Sequence, residues 1–302
     1  LGNHCQAAMP HLAIVERLIP LVSNTAALEQ ALAALWRTAH FQGRYDQALS
    51  HATTISELGR MLSAPILESC GHAWASHSLN MMARHAEAEA EAVLGMQQSA
   101  GVLRQQPKLL ALESACAAKG AYAVSSCYLG YPDRALRVAH AASDDVTLIG
   151  NPYLQCMIEA VVIGNILMAR RDWATLQTHS TATIALCEKY SHEDGFLLST
   201  QHQLIANCML GDTAAWLQPL LHLMERERAT DCTGRSLVSG HVHAAELALR
   251  IGQLDLARQI NDLALQLIET RGIRAWEPEA LRVRAEVQLA QYPDRTSEAE
   301  GW

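Results

Sequence analysis

Fourteen histidines and eight cysteines are the residues in this chain best suited to chemistry, and their spacing decides what they can reach. His241 and His243 stand two apart in a segment of helical periodicity. Their rings therefore point about 200° apart around the helix and cannot easily share one ion. His72 and His77 are five apart, which misses the i, i+4 geometry of a helical zinc pair. A His-Glu-x-x-His sequence is absent, and His192-Glu193-Asp194 falls in an expected loop without a second histidine at a ligand's distance. No metal site is expected.

Nucleophilic and acid–base chemistry fare no better. The cysteines (5, 70, 116, 127, 156, 187, 208 and 232) are scattered singly, with no Cys-x-x-Cys. Most fall among apolar residues, where a thiol behaves as a small hydrophobe. A Gly-x-Ser-x-Gly elbow does not occur. Glu159 and Glu246 lie on otherwise apolar segments and are the carboxylates an acid–base cleft would use, although lining a helical groove explains them more simply. No Gly-x-x-x-x-Gly-Lys-Ser/Thr loop is present, and Lys108, Lys119 and Lys189 follow no glycine-rich loop. The chain is expected to be no enzyme and to need no cofactor.

The elements that must position these side chains read as helices. The 302 residues are 50% hydrophobic and 18% charged, with 17 glycines, 9 prolines and 2 phenylalanines. Alanine and leucine dominate and β-branched runs are short, which argues an all-α fold. A formal charge of -8 excludes the basic stripe of a nucleic-acid surface. The cysteine pattern fits a reducing compartment, and no charged segment precedes a hydrophobic core, so no signal peptide is read. The most apolar stretch, Met157 to Ala169, is broken by Glu159 and Asn165 and is too short to cross a bilayer. A cytoplasmic location away from the membrane is expected, and the start at Leu1 reads as a fragment of something longer.

Those helices repeat. Gly43-Arg44-Tyr45-Asp46-Gln47-Ala48-Leu49 returns as Gly130-Tyr131-Pro132-Asp133-Arg134-Ala135-Leu136 and as Gly252-Gln253-Leu254-Asp255-Leu256-Ala257-Arg258. Each copy has glycine, an aromatic or leucine two residues on, and alanine five residues on. The glycine can end one helix in the left-handed conformation, and the alanine lets the next pack closely. Degenerate copies stand at Ala83, Arg171 and Gly211, so successive junctions are 40, 47, 41, 40 and 41 residues apart by subtraction. Such a period with two helices per unit reads as a right-handed α-solenoid of about six antiparallel pairs. A partial helix is expected over residues 9–22, a break at Ser143-Asp144-Asp145, a last helix over residues 277–291, and a frayed tail over residues 293–302. With no linker dividing residues 1–302, one domain is expected. The acidic run from Glu87 to Ala92 reads as a solvated face, and Trp36, Trp74, Trp173, Trp216 and Trp276 as packing between helices.

The junction resembles that of the tetratricopeptide repeat, although Trp36 stands where that family prefers a small residue and the period exceeds its usual length of about 34. The stretch from Glu269 to Glu286, with Leu129 to Leu136, resembles the helical-repeat regions of bacterial multidomain signalling ATPases. Those proteins include MalT-like, LuxR-type transcription regulators and ATPase-linked adenylate or guanylate cyclases. The resemblance covers roughly residues 109–291. It implies a sensor or scaffold that binds a protein, peptide or small signalling ligand in its concave groove and couples it to a neighbouring NTPase or output domain. A stand-alone scaffold is the alternative. The repeat rule places groove side chains three, six and ten residues before each junction, which picks Arg37, His40, His77, Asn80, Asn165, Gln201 and Glu246. No direct nucleic-acid contact is implied, and an uncapped first repeat would favour a homodimer.

Overall fold

A computed structural model of the chain describes residue 14 and residues 25–105, 109–211, 213–229 and 234–292. Among these residues there are thirteen α-helices and no strand. They are α1 (Thr25–Phe41), α2 (Tyr45–Met61), α3 (Pro65–Met81), α4 (His85–Gln105), α5 (Leu109–Tyr128) and α6 (Pro132–Ile149). Then follow α7 (Pro152–Ala169), α8 (Trp173–Lys189), α9 (Glu193–Leu210), α10 (Thr213–Ala229), α11 (Gly234–Arg250), α12 (Leu254–Arg271) and α13 (Glu277–Gln291), with a 3-10 turn at Arg274–Trp276 before the last. The expected helix over residues 9–22 and the tail over residues 293–302 lie outside the described segments, apart from residue 14.

One device ends most of these helices. Gly43, Ala83, Gly130, Arg171 and Gly252 have positive φ at the turns within repeats, and Ser63, Gly150, Ser191 and Gly272 have it at turns between repeats. Where both stretches are described, these left-handed residues recur every 20 or 21 positions, so the sequence period near 41 is a double copy of one helix-plus-turn. At Gly43 the Arg44 amide donates to the Ala39 carbonyl at 2.8 Å, and the Ala83, Gly130, Arg171 and Gly252 turns repeat that six-to-one bond. It satisfies carbonyls that a helix end would otherwise orphan. The residue five after each of these turns is Ala48, Ala88, Ala135, Leu176 or Ala257, and every one is 0% exposed. Gly211 departs from the rule: its φ is -135°, and Trp216, five residues on, is 41% exposed rather than packed between helices.

The odd-numbered helices form the inner layer, each touching the next odd helix, while the even-numbered ones pair with their chain neighbours outside. One hydrophobic cluster runs through the layers from Tyr45 to Val287. The superhelix also meets itself. A Cβ placed on Gly43 would lie 3.2 Å from that of Arg271, and α3 touches the Arg274–Trp276 turn. First and last units are thus in contact.

Two expectations change. Ser143-Asp144-Asp145 does not end a helix, and α6 runs on to Ile149. Ser143 donates to Glu159 and Asp145 pairs with Lys119, so two of the three residues that looked like a break face neighbouring helices, while Asp144 is exposed. The Glu87–Ala92 run is only partly a solvated face: Glu89 reaches Arg134 at 2.6 Å and Glu91 reaches His72 at 2.6 Å. Helix α7 has the length and hydropathy of a membrane span, yet more than half of it is buried inside the protein.

Candidate functional site

The inner helices enclose a cavity of about 200 Å³. Its wall on α1 and α3 is aromatic. The rings of Trp36 and Trp74 stack at 5.0 Å between centroids and 12° between planes, and His40 also stacks on Trp36 at 4.9 Å. Both tryptophans lie one position off the rule used to pick groove residues. The sequence assigned them to packing, and they do pack: Trp36 donates its indole N–H to Ser78 Oγ at 3.1 Å. Both also border the cavity.

Opposite the aromatic wall, α7 supplies Leu154, Met157, Ile158, Val161 and Val162, and α9 supplies Leu197 and Leu198. Helix α5 contributes only Ala117 and Gly120. A Cβ on Gly120 would sit 2.9 Å from Ile158 Cδ1, so the missing side chain both admits α7 and keeps space open. The α7 floor is built on a π-helical stretch, Ile158–Ile163, in which the Gly164 amide donates to the Glu159 carbonyl five residues back. Such a stretch costs hydrogen-bond geometry and is often found at functional sites. Here Asn165 makes part of it good by donating to the Val161 carbonyl at 2.6 Å.

Charge sits on two sides of the cavity. Arg37 and His77 border it from α1 and α3, Asp194 from α9, and Glu227, 3% exposed, from α10. An apolar chamber with a guanidinium and an imidazole on one side and carboxylates on the other suits a ligand with an apolar body and polar ends. Tyr153 borders the cavity as well, its ring tilted against His192 at 4.8 Å. Burial pushes the His192 imidazole below its ordinary pKa.

Of the seven residues picked from the sequence, the cavity brings together Arg37, His40 and His77. The other four are spent within the scaffold. Asn80 is fully buried and donates to Ser125 Oγ at 2.9 Å, tying α3 to α5. Asn165 serves the π-helical floor. Gln201 is fully buried against Gly240, where any added Cβ would collide with its amide. Glu246 accepts from Arg171 at 2.7 and 3.2 Å and faces Arg282 at 3.4 Å. Glu279 joins this cluster, bonding Arg171 and Arg282. Burial alone would raise the Glu279 carboxyl, but the two guanidiniums hold it below the usual carboxylate range. His241 and His243 donate from Nδ1 to the carbonyls four residues back, at 2.6 and 2.8 Å, and His243 lies edge-on to Trp276. Among the described residues no three His, Cys, Asp or Glu side chains converge on a metal-sized site.

Sequence reasoning missed Trp74, Tyr153, Asp194 and Glu227. For the tryptophan a signal existed: Trp36 and Trp74 stand 38 residues apart, close to the repeat period. For Glu227 none existed, because it comes from an outer helix.

A solved structure described as Rap protein complexed with Competence and Sporulation Factor superposes on 97% of this chain and 80% of its own, with a TM-score of 0.68. The chain is a TPR-like α-solenoid. At 12% sequence identity the likeness speaks for the fold alone. No protein-family model and no curated protein sequence matches the chain.

Proposed function

We propose that this solenoid is a ligand-binding regulatory scaffold whose lumen cavity takes a short peptide or a small amphiphilic molecule. The observation that carries the reading is the convergence of five successive inner helices, α1, α3, α5, α7 and α9, on one apolar chamber with charged groups on two sides. A groove of this kind accepts an extended segment by burying its side chains in the chamber and meeting its polar groups at the rim. The fold neighbour was solved with a bound factor, which supports a solenoid of this shape working by binding rather than by catalysis. The volume is small for a drug-sized ligand, for which pockets run from about 300 Å³ upward, so one or two side chains of a peptide fit better than a folded partner.

In this reading the bound ligand favours one curvature of the superhelix, and a neighbouring NTPase or output domain, cytoplasmic like the solenoid, senses that curvature. The coupling demands that the ligand prefer one arrangement over another. A scaffold without a switch is the second reading; it would show a ligand-independent shape in small-angle scattering.

The test is native mass spectrometry of the purified chain before and after mild denaturation. A discrete added mass released on unfolding is the expected result. It should be lost in Trp74→Ala and retained in a variant far from the chamber, such as Arg258→Gln. A chain that carries no ligand, and whose tryptophan emission is unmoved by a random short-peptide library, would overturn the proposal.

A further inference from the structure

The seam where first and last units meet is a second cleft, open and about 640 Å³ in volume. Its chemistry differs from that of the lumen. Four arginines border it: Arg44 and Arg84 from the first turns of the superhelix, Arg271 and Arg274 from the last. Among the described residues Asp46 is the one carboxylate in the lining. This concentration stands out in a chain whose formal charge is -8.

We propose that this seam binds a small multivalent oxyanion, of the oligophosphate class, which bridges the two ends of the superhelix. Like charges brought together from opposite ends of the fold repel, and an anion between them turns that repulsion into attraction. Guanidinium groups match phosphate oxygens in forked pairs, and among the described residues no lysine borders the cleft. Three of the arginines, Arg44, Arg84 and Arg274, also keep capacity for a ligand. Among the described residues Arg44 bonds the neutral amides of Gln42 and Gln47, which do not cancel its charge. Arg84 commits Nε and one terminal nitrogen to Glu87, at 2.7 and 2.6 Å, and has a second terminal nitrogen to offer. Arg274 meets Glu277 through a single contact at 3.3 Å.

A single phosphate would gain little here, because Arg44, Arg84 and Arg274 are exposed and each pair is weak in water. Two or more linked phosphate groups can engage both sides of the seam at once, and the second contact is then intramolecular. That argument selects an oligophosphate over a lone phosphate, and a small ligand over an acidic protein surface, which could not enter between the ends.

Sodium pyrophosphate is the probe, titrated calorimetrically into the whole chain at constant ionic strength, with inorganic phosphate and chloride as references. Pyrophosphate is expected to bind at least tenfold more tightly than phosphate. The double variant Arg84→Gln/Arg274→Gln should weaken it by tenfold or more, and Arg258→Gln, on the exposed side of α12, should not. Glu87→Gln frees Arg84 and should tighten binding several-fold, a gain that no folding defect can imitate. Equal responses to pyrophosphate and chloride overturn the proposal. So does unchanged affinity in both the arginine pair and Glu87→Gln. Loss of lumen binding in Trp74→Ala with pyrophosphate binding intact would separate this seam from the chamber. An acidic peptide that binds where pyrophosphate does not would replace the ligand class.

Discussion

Gly71→Ala should destabilise the protein, although alanine is the better helix former. Gly71 lies in the middle of α3, where helix propensity alone would favour alanine by about 1 kcal/mol. What opposes it is the backbone of α2. A Cβ at Gly71 would sit 2.8 Å from the Ala52 carbonyl oxygen and 2.8 Å from Ser56 Cα, with the Ser56 amide nitrogen closer still. Ordinary contact begins near 3.5 Å, so relieving the amide nitrogen, the nearest of these atoms, would require the two helices to part by about 1 Å. No flexible side chain is present at these atoms to give way. Overpacking costs roughly 1–3 kcal/mol, and a clash with backbone belongs at about 3 kcal/mol, so the net loss should be about 2 kcal/mol after the propensity gain of about 1 kcal/mol is set against it. Urea denaturation gives that figure, and calorimetry should show a Tm lower by roughly 5 °C. Gly101→Ala is the control: no atom lies within 4 Å of its added Cβ, so it should raise stability by about 0.5–1 kcal/mol. If both variants stabilise, the close approach of α2 and α3 is wrong. Because α3 carries Trp74 and His77, the aromatic wall of the chamber would be misplaced with it.

Glu246→Gln should cost about 1–2 kcal/mol in denaturant unfolding, since it leaves Arg171 and Arg282 with Glu279 as their remaining cluster carboxylate besides Glu286 on Arg282. The figure is kept low because the arginine side chains are 44% and 34% exposed, and binding in the chamber, which Glu246 does not border, should be unchanged. Acid should weaken the fold through its histidines. Burial holds His85, His192, His241 and His243 below the ordinary imidazole value, so the unfolded chain takes up protons first. Stability contributed by these neutral rings is complete above about pH 6.5 and is lost as pH falls below it; a Tm that rises between pH 7 and pH 5.5 would contradict this. Burial also pushes the Cys116, Cys127 and Cys208 thiols up to about 11 and Cys187 to about 12. Iodoacetamide at pH 8 should leave these four unmodified by peptide mapping until urea is added. Rapid labelling of any of them in the folded protein would refute their placement.

The scaffold was legible because its signals are local. A left-handed turn needs glycine or an exposed small or flexible residue, and the residue five on must be small or apolar to be fully buried; both requirements are written within six positions. The turn at Ser191 shows the limit of that reading: its residue is neither glycine nor conserved in kind with Gly43, and only the backbone reveals that it does the same work. The site was harder to read because a register rule cannot see what a side chain meets. Asn80 and Gln201 satisfy the spacing for groove residues, yet neighbouring helices lie so close that both are fully buried. The polar appearance of Ser143-Asp144-Asp145 misled for the opposite reason, since its partners Glu159 and Lys119 are on other helices. Closure of the superhelix left no sequence signal at all, because it follows from accumulated rotation over six units and not from any one of them.

That closure bears on how the two proposed sites would influence each other. A solenoid with free ends is stabilised by nearest-neighbour contacts, and a ligand at one repeat is felt mainly by the next. Here Tyr45 borders both the lumen chamber and the seam, and it is 4% exposed with its ring edge-on to His40 at 5.3 Å. Opening the seam must uncover Tyr45 and loosen the aromatic wall, and filling the chamber must resist that opening. Each ligand would then tighten the other by the same factor, as linkage requires. Tyr45→Ala separates this arrangement from two independent sites. It should leave pyrophosphate and lumen binding individually measurable while bringing their mutual enhancement to one; enhancement that survives the substitution would place the coupling elsewhere in the ring.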